Sequence, residues 1–215
     1  MKGPNHPVLF GDRAEAGRLL AQALRGLSPS DALVLGLPRG GVAVGAEVAL
    51  GLGLPLDVLV VRKIGVPSQP ELAMGALGEG GVLVVDERVR TSTGIDPQAF
   101  DEVRAAEQSE LDRRAALYRR GRAPASLERR TVILVDDGVA TGSSARAACE
   151  VARASGAHRV ILAVPVGPKG IEEDFAGLAD EVVCLSRPAA LFAIGEAYSD
   201  FSAVDDHQVV ELLER

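Results

Sequence analysis

"VILVDDGVATGSSA", residues 132–145, decides how the rest of the chain is read. Four apolar residues, enough for a short buried strand, run directly into Asp136 and Asp137, and the chain then turns through Gly138, Thr141, Gly142, Ser143 and Ser144. Gly138 and Gly142 permit tight turning and close approach of the main chain. The amides and dipole at the start of the helix that follows favour an anion, above all a phosphate, with Ser143 and Ser144 as caps and Thr141 as a further hydroxyl donor. The two aspartates would repel that phosphate. They can instead accept hydrogen bonds from sugar hydroxyls or hold a hydrated Mg²⁺. A ligand with a phosphate at one end and a diol at the other, such as ribose 5-phosphate, satisfies both halves.

The pattern around this stretch repeats its strand–turn–helix logic. Residues 32–36, 54–63, 131–135, 159–166 and 181–185 are apolar runs of strand length, separated by helical segments at 41–53, 143–155 and 170–177. Continuous rather than alternating apolar runs mean strands buried on both faces. The expected fold is therefore α/β: a doubly wound, mainly parallel sheet of about five strands flanked by helices, with a small hood or lid region. Before it, "GDRAEAGRLLAQALRG" reads as a helix capped by Asp12 with Glu15 completing a capping box, and Ala16, Leu19, Leu20, Ala23 and Leu24 form its apolar stripe. Asp96 and Pro97 open a long helix, and another short helix is expected near 205–213. Residues 64–95, rich in Gly and Pro, read as a long irregular connection and hence as a mobile lid loop, with one strand-like piece at "GVLVVD". Residues 186–215 form a C-terminal hood segment, and 1–215 a single domain.

Composition narrows the function classes. The chain has 215 residues and a net charge of −7, which argues against a nucleic-acid partner. Only 3 of its 23 basic residues are lysines, Lys2, Lys63 and Lys169. Cys149 and Cys184 make no metal-type cluster, and a reducing, cytoplasmic setting is the expectation. "MKGPNHPVLF" lacks the apolar centre of a secretion signal, and no run is long enough to span a membrane.

Two further loops leave carboxyl ends of expected strands, where parallel sheets bind ligands. In "LPRGG" (37–41), Arg39 and the amides of Gly40 and Gly41 suit a cluster of pyrophosphate oxygens. In "VRKIGVPSQPELAMGA" (61–76), Arg62 and Lys63 form a basic pair best explained by an anionic ligand, and Glu71 is a candidate base or Mg²⁺ partner.

With these residues in view, "VILVDDGVATGSSA" resembles the phosphoribosyl pyrophosphate (PRPP) signature of the type I phosphoribosyltransferases. Together with "DRAEAGRLLA", "LPRGG" and "RKIGVPSQPELAMGA" it is similar to a bacterial subgroup of that family whose acceptor is unassigned. The resemblance implies that Asp136 and Asp137 bind the ribose hydroxyls. It implies that Ala140, Thr141, Gly142, Ser143 and Ser144 wrap the 5′-phosphate, and that Arg39, Gly40 and Gly41 meet the pyrophosphate. Asp136, Asp137, Arg62 and Lys63 are then the expected catalytic set, Mg²⁺ the cofactor, and PRPP with a nitrogenous base the substrates. Homodimers are common in that family. Phe192 and Tyr198 are matched to a base-stacking role, and Asp200 to a metal-side position. Ala140 stands where hypoxanthine-type members carry an Asp, and Pro165 or Val166 where they carry a Lys, which argues against a 6-oxopurine. Two alternatives stay open: a non-catalytic PRPP sensor, and a phosphoryl receiver domain, against which the late position of the two acids counts.

Overall fold

The computed structural model describes residues 9–215 apart from 28 and 30. Lys2, and all but the last two residues of the N-terminal stretch read above, lie outside them. The helices are α1 (Arg13–Leu24), α2 (Gly40–Leu52), α3 (Glu87–Thr93), α4 (Pro97–Arg119), α5 (Ser143–Ala154), α6 (Ile171–Asp174) and α7 (Asp206–Leu213). The strands are β1 (Leu33–Gly36), β2 (Leu56–Val58), β3 (Val61–Val66), β4 (Gln69–Gly78), β5 (Val82–Val85), β6 (Thr131–Val135), β7 (Arg159–Val166) and β8 (Glu181–Ser186). Five of them form one sheet in the order β2-β1-β6-β7-β8, parallel throughout, as the continuous apolar runs predict.

Alternate residues of β6 serve the two faces. Val132 and Leu134 pack with Ala145, Ala148 and Ala152 of α5, whereas Ile133 and Val135 pack with the core that holds Leu20 of α1 and Val44 and Val48 of α2. The stripe of α1 is turned from the expected one. Ala16, Gly17, Leu20, Ala21 and Leu24 are buried, and Leu19 is exposed. Gly17 sets that rotation, since a Cβ there would stand 2.6 Å from the Val44 carbonyl oxygen of α2. The capping at Asp12 is as read, with the Glu15 amide donating to it at 2.7 Å, but the Glu15 carboxylate accepts from the Gly11 amide.

The segment 64–95 corrects the sequence reading. It is no irregular loop: β3, β4 and β5 form an antiparallel three-stranded sheet, followed by α3. The expected strand 54–63 is correspondingly two strands. Leu59 donates its last bond to the Gly36 carbonyl at 3.1 Å, and the chain then leaves the parallel sheet to pair with β4. Gly75 and Gly78, two of the glycines that suggested a loop, are packing positions. A Cβ on Gly78 would lie 2.3 Å from Val151 Cγ1 of α5, and one on Gly75 would lie 2.3 Å from the Val84 carbonyl oxygen.

α4 is capped as expected, the Asp96 carboxylate accepting from the Gln98 amide at 2.7 Å. Near its other end Arg119, 8% exposed, joins three elements. It donates twice to Glu79 after β4 (2.9 Å each), once to the Asp57 carboxylate of β2 and once to the Val58 carbonyl (2.7 Å). Removing one partner of such a buried network strands the others. Arg119→Ala is therefore expected to destabilise the chain by about 3–5 kcal/mol, read as a lower urea midpoint. A loss under about 1 kcal/mol would mean that water already serves those carboxylates.

The C-terminal segment divides. Residues 187–201 run past the carboxyl end of the sheet, with Phe10 bridged to Tyr198, while α7 sits against α2 and α4. Among the described residues no helix is long and apolar enough to cross a membrane. Cys149 and Cys184 are buried free thiols.

Candidate active site

β1 and β6 are neighbours, Gly36 facing Val135, and the chain departs from them to opposite halves of the sheet. Their carboxyl ends therefore flank the crevice where open α/β sheets take ligands. "LPRGG" leaves β1 and the acidic pair leaves β6, and the Leu37 amide donates to the Val135 carbonyl at 2.8 Å. The peptide between Pro38 and Arg39 is cis. Gly40 and Gly41 open α2 directly against the acids. A Cβ on Gly40 would stand 1.9 Å from Asp137 Oδ2, and one on Gly41 2.4 Å from the Val135 carbonyl oxygen and 2.8 Å from Asp136 Cα. Only glycine lets these two loops meet.

Beyond the acids, the Val139 amide donates to the Val166 carbonyl at 2.9 Å, which ties the loop to β7. Gly142 (φ 78°) turns the chain into α5. Gly142 itself is the N-cap, with no side-chain bond, so Ser143 and Ser144 begin the helix rather than cap it. Their hydroxyls and the first-turn amides are thus not consumed by capping. The Thr141 and Ser143 hydroxyls lie 3.2 Å apart.

Two cavities meet at Asp136. One of about 180 Å³ is bounded by Gly138, Ala140, Thr141, Gly142 and Ser143. The other, of about 390 Å³, is bounded by Pro38, Arg62, Lys63, Glu107 and Arg114. Asp136 and Ser144 line both. The expected phosphate loop and basic pair thus open on either side of one carboxylate.

Asp137 lines neither cavity. It receives Arg13 Nε at 2.9 Å, and Arg13 also stacks 3.8 Å from the Phe201 ring centre and donates to the Ser202 carbonyl. Burial raises the Asp136 carboxyl well above the ordinary Asp value, the Asp137 charge adds to this, and the Asp137 amide and Arg13 oppose it. Burial also raises Asp137, against the Arg13 bond. An acid raised in the folded state stabilises fully below its unfolded value, and that contribution is lost as pH rises through the folded value. The advantage of Asp136→Asn over the parent chain should therefore grow with pH above about pH 4, read in urea midpoints. Parallel stability–pH curves for the two chains would contradict it.

The basic pair stands in β3. Arg62 bonds Glu107 of α4 at 2.6 Å, and Lys63 bonds Glu71 at 2.9 Å across the hairpin. Glu71 is thus a partner of Lys63, reached across the β3–β4 pair.

Three expectations need correction. Arg39 does not line the crevice: its guanidinium turns toward α7, 4.0 Å from Asp206 Oδ1, and only Leu37 and Pro38 of its loop reach the cavity. Tyr198 offers no face to a base. It is buried between Phe10 and Phe201, and its hydroxyl, held protonated by burial, donates to the Asp137 carbonyl at 2.6 Å. Asp200 forms a turn, accepting from the Ser202 amide at 2.9 Å, and no group of three or more metal-ligating side chains occurs among the described residues. Phe192 is 76% exposed.

Sequence reasoning missed Arg13, Glu107 and Arg114. Each looks like one more charge on an amphipathic helix, and only tertiary placement brings Glu107 and Arg114 to the crevice and Arg13 to Asp137.

Comparison with known proteins follows the same lines. The family model of the phosphoribosyl transferase domain matches residues 12–200. Two proteins of Mycobacterium tuberculosis, each named "Putative phosphoribosyl transferase" (Rv0571c of strain H37Rv and MT0597 of strain CDC 1551), are 56% identical over 207 residues, 96% of this chain and 47% of theirs. The chain spans about half the length of the curated relatives it matches. The crystal structure of TT1426 from Thermus thermophilus superposes with a TM-score of 0.89 at 46% identity, over 95% of this chain and 97% of that one.

Proposed function

The chain belongs to the phosphoribosyl transferase family, and on that premise we propose that it binds Mg²⁺–PRPP and transfers the phosphoribosyl group to a nitrogenous base, releasing pyrophosphate. The observation that carries this reading is the place of Asp136, at the junction of the loop cavity and the basic cavity. A sugar diol at Asp136 leaves its 5′-phosphate facing the 140–144 amides and its pyrophosphate facing Lys63 and Arg62.

The chemistry separates charge: positive charge grows on the sugar at C1′ and negative charge on the leaving pyrophosphate. Lys63 and Arg62, which line the larger cavity, stabilise the second, and Asp136 favours the first. The bonds from Arg62 to Glu107 and from Lys63 to Glu71 pre-orient the cations, and pyrophosphate competes for them on binding. Asp137 is held by Arg13 at its carboxylate and by Tyr198 at its carbonyl, so it positions the pair. Asp136, whose carboxylate borders both cavities, would hold a hard cation that takes its other ligands from water and PRPP, and Mg²⁺ there would supply neutralisation of the pyrophosphate charge. The β3–β5 sheet, as a lid, keeps water from the sugar carbon, and Phe192, whose ring is exposed, is the aromatic we assign to the acceptor. The setting is the cytoplasm.

The test is pyrophosphate release from Mg²⁺–PRPP across a panel of nitrogenous bases, with the nucleotide identified by mass. Release with one of them supports the transferase. PRPP binding without release on any base replaces it by a sensor, and absence of PRPP binding ends both.

A further inference from the structure

Arg39, which the crevice does not use, helps to build a second site. Its guanidinium, with Arg113, Arg114 and Tyr118 of α4 and Asp206 of α7, surrounds a cavity of about 360 Å³ whose remaining wall is Pro38. Three guanidiniums meet there, and their carboxylates are shared. Arg113 and Arg114 both bond Glu110, at 2.7–3.0 Å. Asp206 accepts the Tyr118 hydroxyl at 2.7 Å and stands 4.0 Å from Arg39. The Glu110 carboxyl is held down to about 2 by its two arginines, so it stays ionised, and the cup still carries one cation in excess. Guanidinium forks match phosphate oxygens in pairs, which a lone ammonium does not. Pro38 and Arg114 also line the crevice cavity, so the cup opens beside the pyrophosphate end of the site without containing it.

We propose that this cup is a separate anion site that takes the di- or triphosphate group of a small molecule. Its recognition does not depend on the transfer chemistry. A ligand there touches Pro38 and Arg114 and so bears on the crevice next to it.

Equilibrium dialysis of labelled inorganic pyrophosphate against the full chain with Mg²⁺ should give two sites. Arg113, 60% exposed on α4, lines only the cup, so Arg113→Gln should leave the melting curve unchanged and weaken one site at least tenfold. Asp206→Asn removes the carboxylate that competes with the anion and should strengthen that same site. Lys63→Gln should weaken the other one. Tripolyphosphate binding as tightly as adenosine triphosphate would assign recognition to the phosphates, and a preference for the nucleotide would identify the source as a nucleotide. A parent chain with no site that responds to Arg113→Gln and Asp206→Asn overturns the proposal. A single site, weakened by Arg113→Gln and unmoved by Lys63→Gln, would instead count against the PRPP reading alone.

Discussion

Gly41→Ala is expected to destabilise the chain by about 3 kcal/mol and to reduce pyrophosphate release about a hundredfold. The added methyl would meet the Val135 carbonyl oxygen at 2.4 Å and Asp136 Cα at 2.8 Å, both main-chain atoms. A rotating side chain could step aside, but these atoms are held by the β1–β6 pairing and by the Leu37–Val135 bond. Relief must come from sliding the start of α2 off the end of β6. That movement separates "LPRGG" from the acidic pair, so fold and site should fail together. Urea unfolding and the release assay measure the two losses. A variant as stable and active as its parent would show that the two loops do not need this approach.

Asp136→Asn should split the same two properties. Turnover from PRPP is expected to fall about a hundredfold, because an amide bonds a sugar hydroxyl less strongly and cannot oppose the positive charge at C1′. Stability should rise, since the amide ends the burial of an ionisable group next to Asp137 and can still accept the Asp137 amide at 2.9 Å. Loss of turnover with loss of stability would point to a structural role. Unchanged turnover would place the sugar elsewhere.

Much of this was legible in the sequence because burial writes itself into composition. Val132, Ile133, Leu134 and Val135 are apolar on both faces since helices cover both, and the acids that end them mark the edge of that cover. What failed to show were positions whose residue type answers to a neighbour distant in sequence. Gly75 and Gly78 looked like punctuation and are instead where a strand and α5 come close. Arg39 pointed to pyrophosphate from its loop, but the backbone there turns its side chain toward α7. Tyr198 carried the right ring for stacking, and its hydroxyl spends itself on the Asp137 carbonyl. The paired charges at 107, 113, 114 and 119 look alike in the sequence, although one is locked inside and the others border cavities.

The departure of β3 from the edge of the parallel sheet bears on how such a chain diversifies. Arg62 and Lys63 stand at the rooted end of the hairpin, paired with Leu77 and Ala76, while the turn at Pro67 and Ser68 is its far tip. Residues added or removed at that tip leave the rooted rungs in register. Changes of length there can therefore alter what the tip reaches while the Arg62–Lys63 end stays as it is.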